Sequence, residues 1–154
     1  MNTSTKTIFQ AGFVVGILDI IAAFIVSGLR TQTIPVLPVL KYVASGIFGK
    51  TAFEGGTEMA IYGLIFHFII ATIFAAIYFF LFPSITFFRM HKIASGVLYG
   101  ITVWLVMNLL VLPLSAVTRG PLKWDGVLIG VTVLVLCIGL PISFIVHRHY
   151  TSRR

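Results

Sequence analysis

Apolar residues gather in four long blocks, and short stretches richer in polar residues separate them. The blocks cover about residues 8–29, 59–82, 93–117 and 126–146. An α-helix rises ~1.5 Å per residue, so about 20 residues cross the ~30 Å hydrocarbon core of a bilayer. The pattern predicts an all-α membrane protein, a four-transmembrane-helix bundle that forms a single integral membrane domain over residues 1–154. The first block is longer than the ~7–15 apolar residues of a secretory signal, so we expect an uncleaved first span.

The connection between the first two spans predicts an additional helix at about residues 36–53. Apolar residues recur there at helical spacing. They are Leu37, Leu40, Val43 and Ile47, with Lys41 and Ser45 off that stripe. Two placements are open, an interfacial helix on the outer leaflet or a re-entrant helix that dips into the bundle. Irregular backbone at membrane depth needs protein or water to cover it, so a re-entrant segment would be functional.

Composition and charge support the membrane assignment. Hydrophobic residues make up 58% of the chain and charged residues 10%, against about 25% charged in a typical soluble domain. A net charge of +7 would suggest nucleic acid as the partner of a soluble protein. Here the Lys and Arg residues flank the predicted spans, so we expect no nucleic acid and membrane lipids with anionic headgroups at the basic flanks.

The same charges favour one orientation. Four spans put both termini and the loop FFRMHK on one side of the membrane, with six Lys and Arg residues and no acid. The other side holds five, together with Asp125 and the candidate outer-loop acids Glu54 and Glu58. The positive-inside rule therefore favours cytoplasmic termini.

Glycine pairs four residues apart recur in three spans. They are Gly12 and Gly16, Gly96 and Gly100, and Gly126 and Gly130. Small residues at this spacing let helix backbones approach closely in lipid. The pairs predict a tight bundle, a homo-oligomer, or both.

Two ionisable residues fall near the middle of their spans, Asp19 in the first and His67 in the second. Each lies on a stripe of small residues, where another helix can come close, so the two side chains could meet. An ionised side chain at the bilayer centre costs ~2.5–3.5 kcal/mol on insertion scales, and such residues often mark proton or ion pathways. Three roles are open: a structural polar clasp between helices, a proton or ion role, and a ligand site.

For other polar residues in the spans, we expect hydrogen bonds between helices or a position at the membrane interface. Asn108 is a further candidate for the intramembrane polar site and could form a hydrogen bond across helices. Tyr78 and Tyr99 lie toward the cytoplasmic ends of their spans, where amphipathic rings favour the membrane interface.

Signatures of enzymes and cofactor sites are missing from the sequence. It has no HExxH, no GxSxG, no phosphate-binding glycine loop and a single cysteine, Cys137. His147 and His149 are two apart, so a helix would direct them to different faces. We therefore expect no catalytic residues, no cofactor and no metal.

The run GLIFHFIIATIFAAIYFFLFPSI, followed by SGVLYG and VLPLS, resembles the YagU family of small bacterial inner-membrane proteins. The resemblance covers about residues 60–115, and the chain lacks the second histidine expected near the fourth span. It implies a location in the bacterial inner membrane and an association with acid resistance.

Two classes of function follow. One is a small transporter or channel with a proton- or ion-related role, in which Asp19 and His67 line a polar path. The other is a non-catalytic membrane scaffold, assembly or lipid-binding protein, in which the same residues form the clasp. A continuous water-accessible route past His67 would favour the first, and a dry, fully packed interior the second.

Overall fold

The computed structural model describes residues 2–118 and 123–151, and within those ranges the chain is helical with no β-strand. The helices in chain order are α1 (Thr3–Thr31), α2 (Val36–Phe48), α3 (Thr51–Glu54), α4 (Thr57–Leu81), α5 (Thr86–Met90), α6 (Lys92–Leu114) and α7 (Trp124–Thr151). Three of the flanking cations, Arg119, Arg153 and Arg154, lie outside the described residues.

Helices α1, α4, α6 and α7 are long and apolar enough to cross a membrane, with mean hydropathies of 2.1 to 2.6 in their most apolar windows. The prediction of four long apolar helices is confirmed. The ends differ from the predicted ones: α6 stops at Leu114, and α7 continues to Thr151. The extension of α7 has a physical reason, because His147 and His149 form hydrogen bonds to neighbouring parts of the bundle.

Those bonds bring three parts of the chain to one end of the bundle, which we call the terminal face. His149 Nδ1 lies 2.7 Å from the Thr7 hydroxyl at the start of α1. His147 Nε2 donates to the carbonyl oxygen of Arg89 in α5, at 3.2 Å. The terminal face therefore holds the start of α1, the end of α7 and helix α5.

Five of the six paired glycines lie at close helix contacts inside the bundle, and Gly126 does not. A Cβ atom at Gly12 would lie 2.6 Å from the Thr72 hydroxyl, and one at Gly16 would lie 2.7 Å from the Phe68 ring. On α6, Gly100 faces the backbone of Val135 in α7 in the same way. The pairs serve the packing of α1 on α4 and of α6 on α7, and a homo-oligomer stays a prediction.

Helix α2 packs on α4 at the end of the bundle opposite the terminal face. It presents Leu40, Ala44 and Ser45, and Gly63 of α4 lies directly against the Leu40 carbonyl. Of the predicted apolar stripe, Leu40 is buried while Leu37 and Ile47 are 47% and 64% exposed, and Ser45, off the stripe, is buried. Small side chains over a glycine let two backbones approach more closely than a leucine stripe would.

The far end of α2 reaches α6. The Ala116 N–H, just beyond α6, donates to the Gly46 carbonyl at 3.0 Å. The helix ends at Phe48, earlier than predicted, because Gly49 adopts a positive φ of 59°. Helix α2 thus bridges α4 and α6. Among the described residues, α4 and α6 share few close backbone contacts with each other.

Large apolar side chains cover the outside of the long helices. They include Phe9, Phe13, Ile21, Ile25, Ile61, Ile65, Ile69, Ile73, Phe80, Leu98, Leu105, Leu109, Leu128 and Leu136, all exposed. A protein in water rarely exposes apolar surface so continuously. The surface of the bundle is therefore apolar along the length of its four long helices.

Candidate functional site

A cavity of about 270 Å³ lies inside the bundle, where α4 and α6 are held apart. Its walls come from α1, α2, α4, α6 and α7. The lining residues are Asp19, Ile20, Ala23, Val39, Tyr42, Val43, His67, Ile70, Ala71, Phe74, Val103, Met107, Asn108, Leu112, Leu134 and Ile138. The three predicted polar residues, Asp19, His67 and Asn108, all line this cavity. Its remaining surface is mostly aliphatic and aromatic.

His67 is tied to helix α1 by a backbone hydrogen bond. Its Nε2 lies 2.8 Å from the carbonyl oxygen of Gly16, and a carbonyl can only accept, so Nε2 carries a proton. The glycine matters here because a Cβ at that position would collide with the neighbouring Phe68 ring.

Asp19 follows Gly16 by three residues, one turn further along the same face of α1. Its carboxylate lies within electrostatic range of the His67 imidazole. The predicted meeting of these two side chains therefore takes the form of a shared cavity, while the Nε2 hydrogen bond of the imidazole goes to the backbone.

Asn108 lies in a π-helical segment of α6, Met107–Val111, where the Leu112 N–H bonds to the Met107 carbonyl. The Asn108 amide donates to the Trp104 carbonyl of its own helix at 3.0 Å. Helix α7 has a matching π-helical segment, Val135–Gly139, which contributes Ile138 to the same cavity. π-Helical segments are rare and occur frequently at functional sites.

A buried cluster of hydroxyl groups closes the bundle between the cavity and the terminal face. The Tyr78 hydroxyl lies 2.9 Å from the Ser95 hydroxyl and 3.0 Å from that of Ser143. Both serines also donate to the Lys92 carbonyl. The Tyr99 ring packs edge-on against Tyr78, and its hydroxyl donates to the Phe74 carbonyl at 2.6 Å.

The interfacial placement expected for Tyr78 and Tyr99 was wrong, because their exposed fractions are 0% and 5%. Each hydroxyl finds partners inside the bundle, so neither ring needs headgroup water. Sequence reasoning did not identify Ser95 and Ser143. Single serines are common in membrane helices, and only their position opposite Tyr78 gives them a role.

The outer-loop acids lie away from the cavity. The Glu58 carboxylate accepts from the Gly56 N–H at 2.6 Å, just before α4 begins, where a negative charge also suits the helix dipole. Glu54 is exposed at the end of α3. Among the described residues no group of three His, Cys, Asp or Glu side chains is arranged to hold a metal ion.

The cavity combines a carboxylate, an imidazole and an amide within apolar walls, and its described lining residues include no Lys or Arg. Carboxyl, imidazole and amide groups are side-chain types that can hold a proton or supply ligand atoms to a small cation. No protein-family model, curated protein or solved structure matches the chain.

Proposed function

We propose that this protein is a small multi-pass membrane transporter or channel that moves protons or a small cation through its central cavity. The observation that carries the proposal is the convergence of Asp19, His67 and Asn108 on one cavity whose other walls are mostly apolar. Ionisable groups at this depth are costly in lipid and often belong to ion or proton pathways. A bundle needed only for its shape would gain stability from a filled, apolar centre.

Membrane insertion is part of the proposal. Four apolar helices and the continuous apolar surface around them support it. We place the protein in a bacterial inner membrane with both termini in the cytoplasm, as the charge distribution favours. The resemblance to the YagU family, with its link to acid resistance, agrees with a proton-related role.

The proposed route has a cover at each end. On the outer side, Val39, Tyr42 and Val43 of α2 line the cavity, which supports a re-entrant helix over one lying flat on the bilayer. On the cytoplasmic side, the hydroxyl cluster around Tyr78 blocks the way. Transport would require α2 and this cluster to open in turn, so that the cavity faces one side at a time.

A second candidate function is a non-catalytic scaffold or lipid-binding protein. The hydrogen bond between His67 and the Gly16 carbonyl favours it, because this bond joins α1 to α4 without any need for titration. The two functions differ in what a glutamine at position 67 would do. Glutamine can still donate to the carbonyl, but it cannot bind a proton between pH 5 and 8.

Proton flux into proteoliposomes tests the proposal. We expect the purified protein to acidify dye-loaded vesicles under an imposed potential, and Asp19→Asn and His67→Gln to reduce the flux toward that of protein-free vesicles. His91→Gln is the matched control, because His91 is exposed at the start of α6, away from the cavity. Circular dichroism and gel filtration check that each variant remains folded.

Two outcomes would contradict transport. One is a wild-type flux no higher than that of protein-free vesicles, both for protons and for small cations such as Na⁺ and K⁺. The other is full flux in His67→Gln together with Asp19→Asn. Either result would favour the scaffold, in which His67→Ala destabilises the bundle and His67→Gln does so much less.

A further inference from the structure

The terminal face carries an unusual concentration of positive charge. Arg89, Lys92 and Arg148 come together there from α5, α6 and α7. The acids of the described chain are Asp19, Glu54, Glu58 and Asp125, and they lie in the cavity or at the opposite end of the bundle. Among the described residues, the cations of the terminal face therefore have no carboxylate side chain nearby to neutralise them.

These cations surround two adjoining surface depressions that share His147 and Thr151. One, of about 510 Å³, is lined by Lys92, Phe144, His147, Arg148 and Thr151. The other, of about 330 Å³, is lined by Phe82, Pro83, Arg89, His147, Tyr150 and Thr151. Together they form one concave surface, which we call the basic pocket.

One face of α7 builds much of the basic pocket. Phe144, His147, Arg148 and Thr151 follow the spacing of three, four and seven residues that places side chains on one side of a helix. Across from them, the Lys92 ammonium group lies 4.6 Å from the centre of the Phe144 ring. A cation held over an aromatic ring is less mobile than a lysine that extends freely into water.

The backbone beneath Lys92 is also fixed. Its carbonyl accepts hydrogen bonds from Ser143 of α7, at 2.6 Å, and from Ser95, at 3.0 Å. The start of α6 is therefore attached to α7 where the pocket lies between them. Both Lys92 and Arg148 line one depression between these two helices.

Exposed apolar residues lie next to the cations of the pocket in the sequence. Met90 and Ile93 are 70% and 61% exposed, and the Phe144 ring is also exposed. The positive charge thus lies beside apolar surface, at the level where lipid headgroups would meet acyl chains. A free inorganic anion would use only the charged part of such a pocket.

We infer that the basic pocket binds the headgroup of an anionic phospholipid, with the phosphodiester between Lys92 and Arg148 and an acyl chain along Phe144. The inference rests on membrane insertion, which belongs to the proposed function, but not on transport. Basic pockets between helices on the cytoplasmic side are suited to anionic headgroups, and each nearby Lys or Arg adds attraction. A bound lipid would join α6 and α7 at the end where the Tyr78 cluster closes the bundle.

Native mass spectrometry of the full chain in a mild non-ionic detergent tests this inference, with defined amounts of phosphatidylglycerol or phosphatidylcholine added. We expect phosphatidylglycerol to be retained preferentially, and its apparent affinity to fall roughly tenfold or more in the double variant Lys92→Gln, Arg148→Gln. The matched control is Lys50→Gln, Lys123→Gln, which removes the same charge from the opposite end of the bundle. Inorganic phosphate at millimolar concentration forms a third arm.

Three results would overturn the inference. The first is equal retention of the charged and zwitterionic lipids, and the second is an equal loss in the control variant. The third is displacement of phosphatidylglycerol by inorganic phosphate, which would identify the pocket as a site for free phosphate. Circular dichroism of both double variants separates lost binding from lost structure. Because the measurement needs no flux, it stands even if the proposed transport fails.

Discussion

Individual polar side chains show how an apolar bundle accommodates hydroxyl, imidazole and amide groups. Among the described residues, no buried side-chain nitrogen or oxygen lacks a hydrogen-bond partner. Tyr78, Ser95 and Ser143 belong to three different helices and form hydrogen bonds to one another. The cluster therefore fixes the relative positions of those helices. His67 differs, because one ring nitrogen forms its hydrogen bond to a backbone carbonyl, that of Gly16.

Tyr78→Phe tests the structural role of the hydroxyl cluster. The variant keeps the ring that stacks on Phe88 but removes the hydroxyl that joins Ser95 and Ser143. We expect the free energy of unfolding to fall by about 1 kcal/mol, since hydrogen bonds between membrane helices contribute modestly. Thermal unfolding in detergent measures the change.

Tyr62→Phe is the control for this substitution. Tyr62 lies at the surface of α4, where its ring packs against Phe48 and Phe66, so the same chemical change should leave the melting temperature nearly unaltered. Equal losses in the two variants would show that the buried cluster makes no special contribution.

Helix α2 decides whether the cavity exists. At 13 residues it spans about 20 Å, too short to cross a bilayer. It instead bridges α4 and α6 and contributes three side chains to the cavity wall. The π-helical segments in α6 and α7 also affect the shape of the cavity. Each segment rotates the side chains that follow it around the helix axis.

Gly63→Ala should displace α2 from α4. An added Cβ would overlap the Leu40 carbonyl and lie 3.2 Å from the Ala44 nitrogen, both of which are backbone atoms that cannot rotate away. Overpacking of this kind typically costs ~1–3 kcal/mol. We expect a lower melting temperature, together with faster labelling of a cysteine placed at Val43 on the cavity wall.

Gly46→Ala provides the comparison, because it adds the same methyl group to α2 where the nearest atom would be 3.9 Å away. Alanine also favours a helix over glycine, so the stability of this variant should be unchanged or slightly higher. A Gly63→Ala variant as stable and as poorly labelled as Gly46→Ala would mean that α2 does not pack against α4.

The two ends of the molecule differ in their charged and polar groups. One end carries the basic pocket and the closed hydroxyl cluster, and the other carries α2 with Glu54 and Glu58. The hydrogen bond between Thr7 and His149 joins the first long helix to the last, so both chain ends face the same side. In a membrane, this polarity would present different chemistry to the two compartments.

Site-directed labelling with a membrane-impermeant maleimide tests that arrangement. In a Cys137→Ala background, we expect Ser4→Cys and His91→Cys to react only from the cytoplasmic side, and Lys50→Cys only from the outside. Reaction of Ser4→Cys and His91→Cys from opposite sides would contradict the fold. Reversal of all three positions would contradict only the orientation. A labelling site in the C-terminal tail, such as Ser152, would lie outside the described residues. His91 is therefore used as the second cytoplasmic position.

Much of this architecture can be predicted from the order of residues. The four long helices follow from apolar blocks of sufficient length, because the bilayer fixes how many residues a span needs. Asp19, His67 and Asn108 stand out for a similar reason, since polar groups at mid-span are costly and few. The glycine pairs likewise indicate close helix contacts before any partner is known.

Which groups meet depends on packing between distant segments. No local pattern shows that Gly63 would accept the backbone of α2, that Ser45 would be buried while Leu37 and Ile47 stay exposed, or that Tyr78 would find Ser95 and Ser143. In lipid, burial in protein and exposure to acyl chains both suit apolar residues, so hydropathy cannot tell the inner face of a helix from the outer one. The cavity and the basic pocket arise from that choice of faces, and only the tertiary structure makes it.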